Sequence, residues 1–266
     1  MHYSGEALSE IEAGYSELLL RYRELAIQVF RFVGRLKNEK AREYMLHGVG
    51  RRLWLLHRCV DNMFRLFPAS RVEKLSDDDR LDLEINLHAF LINVYGIIEN
   101  IGLAVAYENA LLGDDGERKL NAKEVSLFSR RFRRHLNPQL RSYLSGQTLG
   151  NWYRQYAKNY RDALAHRIPP YIPPAALNQG EERRFKDLES EMQAETDPSR
   201  IEALQQEQAK LGTANPLFVH SFSENANRVY LHPQLIADFR TVEEILKKTL
   251  DNFYCEAVVG KEEVGI

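Results

Sequence analysis

The chain has 266 residues, of which 44% are hydrophobic and 28% charged, and its net charge is -2. This composition excludes an intrinsically disordered or fibrous protein and supplies enough apolar residues for a folded core. The two cysteines are too few for a disulfide framework, and the N-terminus has no export signal, so we expect a cytoplasmic protein.

The first part of the chain predicts two long amphipathic helices. The first spans about residues 8–36, where apolar side chains recur at spacings of three and four. The second spans residues 38–67, with Asn38 as its N-cap, and Pro68 ends it. Gly48 and Gly50 weaken the middle of this helix, so we expect a kink there.

A third helix is predicted from Ser76 to about Leu112, and it is the most apolar of the chain. Its stretch from residue 89 to residue 105 contains Glu99 and Asn100. Because polar residues interrupt the apolar run, we expect a buried central helix and no membrane association.

Shorter elements follow in the middle of the chain. The sequence predicts a turn at 113–116 and helices at 121–135, 138–145 and 151–167, with a break at 146–150. Pro169 and Pro170 end the last of these helices.

The remaining segment predicts an insertion and a final helix. We expect a stiff connector at 171–180, a charged helical hairpin at 181–211, two short strands at 217–222 and 228–232 around a loop at 223–227, a helix at 233–258 and a frayed tail at 260–266. The sequence therefore predicts one all-α domain over residues 1–266. Residues 170–232, which include the helical hairpin and an isolated two-stranded β-hairpin, are inserted before the last helix.

The charges are divided between two segments. Residues 130–167 carry nine cations and one acid, whereas residues 181–207 carry nine acids and four cations. A local patch rather than the total charge attracts a charged ligand. Two interpretations stay open: the basic segment binds phosphates, or it pairs with the acidic segment.

Several catalytic and cofactor motifs are absent from the sequence. It has no H-E-x-x-H or Cys-x-x-Cys pattern, no Glu three residues before a His, and no phosphate-binding glycine loop. We therefore predict neither a metal site nor a cofactor.

One spacing recurs, with an Arg five positions before a His. The pairs are Arg42/His47, Arg52/His57, Arg130/His135 and Arg161/His166. Only the last pair has a small polar residue after the Arg, Asp162, and a small residue, Ala165, directly before the His. Arg167 follows directly.

This segment resembles the R-x4-6-H motif of the HEPN superfamily of helical domains. The resemblance implies an all-α HEPN-like bundle, a homodimer and a metal-independent RNA-cleaving site with Arg161 and His166 as its catalytic pair. It also implies supporting roles for Asp162 and for Glu99 on the central helix. The sequence departs from the family where Pro169 and Pro170 stop the helix within one turn of the His.

The helix that carries the motif constrains how the pair can act. Five helical residues rotate Arg161 and His166 apart by about 140°, so one chain does not aim both at one atom. A site shared between two chains relieves this geometry.

The surrounding residues suggest an RNA-binding surface, because cations are interleaved with aromatic rings. The candidate contacts are Arg130, Arg131, Arg133, Arg134, Arg154, Lys158, Tyr160 and Arg167. For Trp152 and Tyr156 the helical spacing favours core packing over base stacking, whereas for Tyr153 and Tyr160 both interpretations stay open.

We therefore predict an endoribonuclease, of the defence or toxin type, that acts on RNA as a homodimer. One alternative is a non-catalytic module of the same fold that binds RNA or a nucleotide. Another is an interaction protein whose acidic hairpin binds a regulatory protein partner.

Overall fold

The computed structural model describes residues 2–112, 120–220 and 228–255. It confirms the all-α class, with 72% helix and 4% strand. The α-helices are α1 (Gly5–Val33), α2 (Glu39–Glu43), α3 (Arg51–Leu66), α4 (Asp77–Glu108), α5 (Arg130–Arg133), α6 (Pro138–Leu144), α7 (Gln147–Trp152), α8 (Asn159–His166), α9 (Gln179–Ala194), α10 (Pro198–Ala209) and α11 (Leu231–Asp251).

The predicted second helix is present, and a π-helical turn interrupts its middle. The Asn38 side chain accepts the N–H of Ala41 and starts α2. The π-helical turn Tyr44–Gly50 then joins α2 to α3, and it includes both Gly48 and Gly50.

The predicted central helix is α4, which begins after Ser76. The hydroxyl of Ser76 accepts the N–H of Asp79 at 3.1 Å. Phe90 and Ile97 are fully buried, and α3, α8 and α11 all pack against α4. The helix is long and apolar enough to cross a membrane, a property that core helices share, and 61% of its most apolar window is buried here.

The prediction of one helix at 121–135 is wrong. Asn121 caps only the 3₁₀ turn Ala122–Glu124, and α5 is a separate short helix. Between them Val125 has an extended backbone, and residues 126–129 form a turn closed by the Ser129 N–H and the Ser126 carbonyl at 2.9 Å. Val125 and Leu127 are both buried where this segment crosses α4 at Gly102. The burial of these two side chains against α4 outweighs the local helical preference.

The segment that carries the motif is helical from residue 147 to residue 166. Helix α7 begins at Gln147, inside the predicted break, and the π-helical turn Tyr153–Lys158 connects it to α8. Helix α8 ends at His166, as the prolines predict.

The insertion contains the predicted helical hairpin, α9 and α10, with Asp197 as the cap of α10 and Pro198 at its first position. The strands β1 (Leu217–Phe218) and β2 (Val229–Tyr230) pair antiparallel, as predicted, but they are shorter. They are not isolated, because Tyr171 pairs with Val219 through two backbone hydrogen bonds of 2.8 and 3.0 Å.

The final helix α11 begins at Leu231, so residues 231 and 232 are helical rather than the end of a strand. It packs against α1 and α4 and buries Leu235, Phe239 and Leu246. Helix α11 ends at Asp251 and residues 252–255 are not helical, so the prediction of a helix that continues to 258 is wrong. The predicted turn at 113–116, the loop at 223–227 and the tail at 260–266 lie outside the described residues.

Candidate functional site

Helix α8 places the motif against the central helix. Tyr160 and Ala163 are buried on its inner side, and α8 packs against α4. Arg161 lies at the edge of this contact, with 29% of its side chain exposed. His166 is exposed at the C-terminal end of the helix.

Arg161 is held by two neighbours. Its Nη2 donates to the hydroxyl of Tyr95 at 2.9 Å, and its Cζ lies 4.3 Å from the centroid of the same ring. Its Nη1 lies 3.0 Å from Oδ1 of Asp162. The Nε is buried without a hydrogen-bond partner among the described residues. The guanidinium is therefore positioned on one side, while part of it remains accessible.

Asp162 remains a carboxylate because cations surround it. Burial acts to raise its pKa, but the hydrogen bond from Lys158 and the charge of Arg161 outweigh burial and lower it. The carboxylate bridges Lys158 and Arg161. This geometry is suited to orienting the guanidinium of Arg161.

His166 has no hydrogen bond or ion pair within the described part of the chain, so its ring is free to bind a ligand. No hydrogen bond joins it to Arg161. The structure of one chain therefore does not bring the two motif residues into a single paired site, in line with their angular separation on the helix.

Glu99 lies in a polar cluster next to Arg161. Its Oε1 accepts the hydroxyl of Ser126 at 3.1 Å and that of Tyr153 at 3.5 Å. Burial raises the pKa of Glu99, and the Ser126 hydrogen bond and the charge of Arg161 counteract that rise in part. Glu99 therefore links Ser126 and Tyr153 to α4, close enough to Arg161 for that charge to lower the Glu99 pKa.

Two residues of this cluster, Tyr95 and Ser126, were not predicted from the sequence. Tyr95 stands four residues before Glu99, on the same face of α4, so its helical spacing was an available signal. Ser126 belongs to the stretch that was predicted to be helical, and the non-helical path of the chain there brings it to Glu99.

The candidate RNA-binding cations differ in whether they form hydrogen bonds or ion pairs within the chain. Arg131 pairs with Glu124, Arg133 donates to the Leu144 carbonyl at 2.7 Å, and Arg154 donates to Asn151. Lys158 bonds Asp162, and Arg167 bonds Asn159. Arg130 and Arg134 are exposed and have no such partner among the described residues.

Tyr160 cannot stack on a base, which corrects the sequence-based assignment. It is 3% exposed and packs its ring against Phe218. Tyr153 is also buried and stacks on Phe128, and Trp152 donates its indole N–H to Asp238 at 2.7 Å. The aromatic residues before the motif therefore contribute to the core.

Within one chain the described ion pairs of the acidic hairpin are internal, such as Arg184 with Glu191 and Glu207, and Lys186 with Glu182. In the described ranges the hairpin therefore forms no ion pair with Arg130 or Arg134 of the same chain.

Two further observations bear on the site. No group of three or more His, Cys, Asp or Glu side chains in the described part of the chain is placed to hold a metal ion. Comparison of the chain with protein-family models, with curated proteins and with solved structures finds no match. The site is therefore interpreted from its own residues.

Proposed function

We propose that this protein is a HEPN-like, metal-independent endoribonuclease that works as a homodimer. The observation that carries the proposal is the difference between the two motif residues. Arg161 is oriented by Tyr95 and Asp162 with part of its guanidinium accessible, whereas His166 is exposed with no partner among the described residues.

The proposed chemistry assigns one role to each residue. The neutral imidazole of His166 takes the proton of the ribose 2′-OH as a general base. Arg161 binds the scissile phosphate and stabilises the charge that develops on its oxygens. Attack of the 2′-oxygen on phosphorus and departure of the 5′-oxygen give a 2′,3′-cyclic phosphate and a 5′-OH.

A second copy of the chain completes the site in this proposal. Arg161 and His166 diverge by about 140° around α8, so the Arg of one protomer acts with the His of its partner. An apolar stripe on α4 supports a dimer: Leu81, Ile85 and Ile92 are 49%, 64% and 38% exposed. They share one face of α4, and Glu99 lies on the same side by helical rotation.

Cleavage of RNA in the presence of EDTA tests the proposal. We expect His166→Ala and Arg161→Ala each to lower the cleavage rate by about 100-fold or more, with products that end in a cyclic phosphate. His57→Gln is the matched control, because His57 has the same spacing from an Arg but packs against Tyr22. An RNA-cleaving wild type whose His166→Ala variant keeps full activity contradicts the assignment.

A non-catalytic module that binds RNA or a nucleotide is the second candidate. The contacts of Arg161 with Tyr95 and Asp162 favour this candidate, because the same contacts fit an arginine that only stabilises the fold. In that case binding of RNA weakens steeply with salt and no cleavage products form.

A further inference from the structure

A second concave site lies away from the motif, between the helical segment 39–50 and the C-terminal turns of α4. It is a cavity of about 340 Å³. Its lining includes Lys40, Glu43, Tyr44, His47, Asn100 and Tyr107. Polar groups of several kinds therefore face one volume that is large enough for a small metabolite.

The wall of the cavity depends on the π-helical turn. Gly48 lies in this turn, and a Cβ added there would come within 2.7 Å of the Asn100 Nδ2. Asn100 thus packs against bare backbone, and its amide makes no hydrogen bond with the described residues. The Asn100 side chain is partly exposed, so its amide is accessible to a ligand in the cavity.

The charged residues of the lining are also unpaired with one another. Lys40 and Glu43 stand three residues apart on one helical face, a spacing at which opposite charges commonly pair. Instead, the Lys40 Nζ lies 5.2 Å from the centroid of the Tyr107 ring. Glu43 forms no ion pair among the described residues. Lys40 and Glu43 are both exposed, so one positive and one negative group of the lining are accessible to a ligand.

This arrangement favours a ligand that carries both a positive and a negative charge. A phosphate would be attracted by Lys40 but repelled by Glu43, which argues against a nucleotide. An α-amino acid places its carboxylate and its ammonium group a few ångströms apart, as Lys40 and Glu43 require.

The far end of the cavity is suited to an amide. His47 and Asn100 both offer a hydrogen-bond donor and an acceptor, as an amide side chain does. Four helical residues separate Glu43 from His47 by about 6 Å along the axis, roughly the length of a glutamine side chain.

We propose that this cavity binds a free α-amino acid with an amide side chain, for which L-glutamine is the best fit. Lys40 binds the α-carboxylate, Glu43 binds the α-ammonium group, and His47 and Asn100 bind the side-chain amide. This binding site is independent of the proposed ribonuclease activity.

Titration calorimetry of the full chain with L-glutamine tests the proposal. We expect saturable binding, and binding weaker by about tenfold or more for glutaramate, which lacks the ammonium group, and for 4-aminobutanamide, which lacks the carboxylate. Lys40→Ala and Glu43→Gln should each weaken L-glutamine binding by a similar factor. Lys37→Ala, two residues before α2, and Glu39→Gln, at the first position of α2, lie outside the lining and should leave it unchanged.

Asn100→Asp provides a second probe of the amide end, since it preserves the shape of the side chain, and it should also weaken binding. Far-UV circular dichroism confirms that each variant is folded. Failure of L-glutamine to bind, or equal affinity in Lys40→Ala, overturns the proposal. So does AMP binding that depends on Lys40 while L-glutamine is inert.

Discussion

Gly48 and Gly50 stand two residues apart in one π-helical turn, yet their surroundings differ. A Cβ at Gly48 would meet Asn100, whereas at Gly50 it would make an ordinary contact of 3.7 Å with a backbone oxygen. We expect Gly48→Ala to lower the free energy of unfolding by about 1–3 kcal/mol through overpacking. Gly50→Ala should raise it by about 0.5–1 kcal/mol, because alanine restricts the unfolded chain.

Urea denaturation of the two variants beside the wild type measures this difference. Gly50→Ala is the matched control, since both substitutions add the same methyl group to the same turn. Equal effects of the two substitutions would show that Asn100 does not occupy the space next to Gly48.

Asp238 is a buried carboxyl that should make stability depend on pH. Burial raises its pKa to about 7, although hydrogen bonds from Trp152 and Gln234 act to lower it. The unfolded chain loses this proton near pH 4, and the folded chain retains it up to about pH 7. The contribution of Asp238 to stability therefore falls as the pH rises from 4 to 7 and is constant above that range.

The comparison of Asp238→Asn with the wild type isolates this effect, because other groups also titrate. His232, whose pKa burial lowers to about 4, changes stability in the opposite direction between pH 4 and 6.5. We expect the variant to gain stability relative to the wild type as the pH rises to 7, measured by urea denaturation at several pH values. Asp251→Asn, at an exposed position on α11, should show no such gain.

Residues that act locally were well predicted from the sequence. Asn38 caps the helix that it was expected to cap, and the third helix begins after Ser76 as predicted, because an N-cap side chain bonds a backbone N–H only two or three residues away. Tyr160 was open to two interpretations, because whether an aromatic side chain stacks on a ligand or on the core depends on the elements packed around it.

At the scale of elements, the hairpin α9–α10 is nearly separate from the rest of the helical structure. Leu188 and Leu204 are buried in it, but they do not belong to the main hydrophobic core. Ala176 and Thr213, just outside the hairpin, exchange two backbone hydrogen bonds of 2.9 and 3.0 Å. The ends of the hairpin are therefore held side by side by the remaining chain.

Replacing residues 178–211 by the dipeptide Asn-Gly should leave the remaining chain folded. We expect the free energy of unfolding to fall by no more than about 1–2 kcal/mol, mainly because Lys74 loses the Ala209 and Leu211 carbonyls as acceptors. Circular dichroism and thermal unfolding measure this. Loss of cooperative unfolding would show that the hairpin is required for the fold.

The elements that the sequence predicted least well are those that packing defines. Residues 121–135 have apolar and basic positions compatible with a helix. The structure instead ends the 3₁₀ turn at Glu124 and forms a second turn at 126–129, and these turns bury Val125 and Leu127 against α4. A sequence window does not reveal which neighbouring surface will cover these side chains.

At the scale of the whole molecule, the exposed stripe on α4 connects oligomeric state to activity. Ile85 is 64% exposed, so Ile85→Arg should not destabilise the single chain. If two copies meet through this stripe, the substitution buries an unpaired charge in their interface and should convert a dimer into a monomer. Because the proposed site is shared between copies, RNA cleavage should fall together with dimer content.

Light scattering after size-exclusion chromatography measures the oligomeric state, and the EDTA cleavage assay measures activity. Leu20→Arg is the matched control: Leu20 is 66% exposed on α1, and this variant should remain dimeric and active. A dimeric, fully active Ile85→Arg variant would show that α4 is not the interface.

The sequence by itself determined the all-α class, most of the helix positions, the caps and the opposed charges of the two segments. These follow from side-chain periodicity and from interactions within one helical turn, which are local in the chain. It also singled out the segment around Arg161 and His166 by the small residues that surround the pair.

Only the tertiary structure decided where those residues lie and which side chains they contact. It placed Tyr95 on Arg161, brought Ser126 to Glu99, buried Tyr160 and left His166 exposed. It also formed the cavity beside Asn100 and kept the ion pairs of the acidic hairpin internal. Each of these outcomes depends on contacts between residues that are distant in the chain, and the packing of helix against helix sets such contacts.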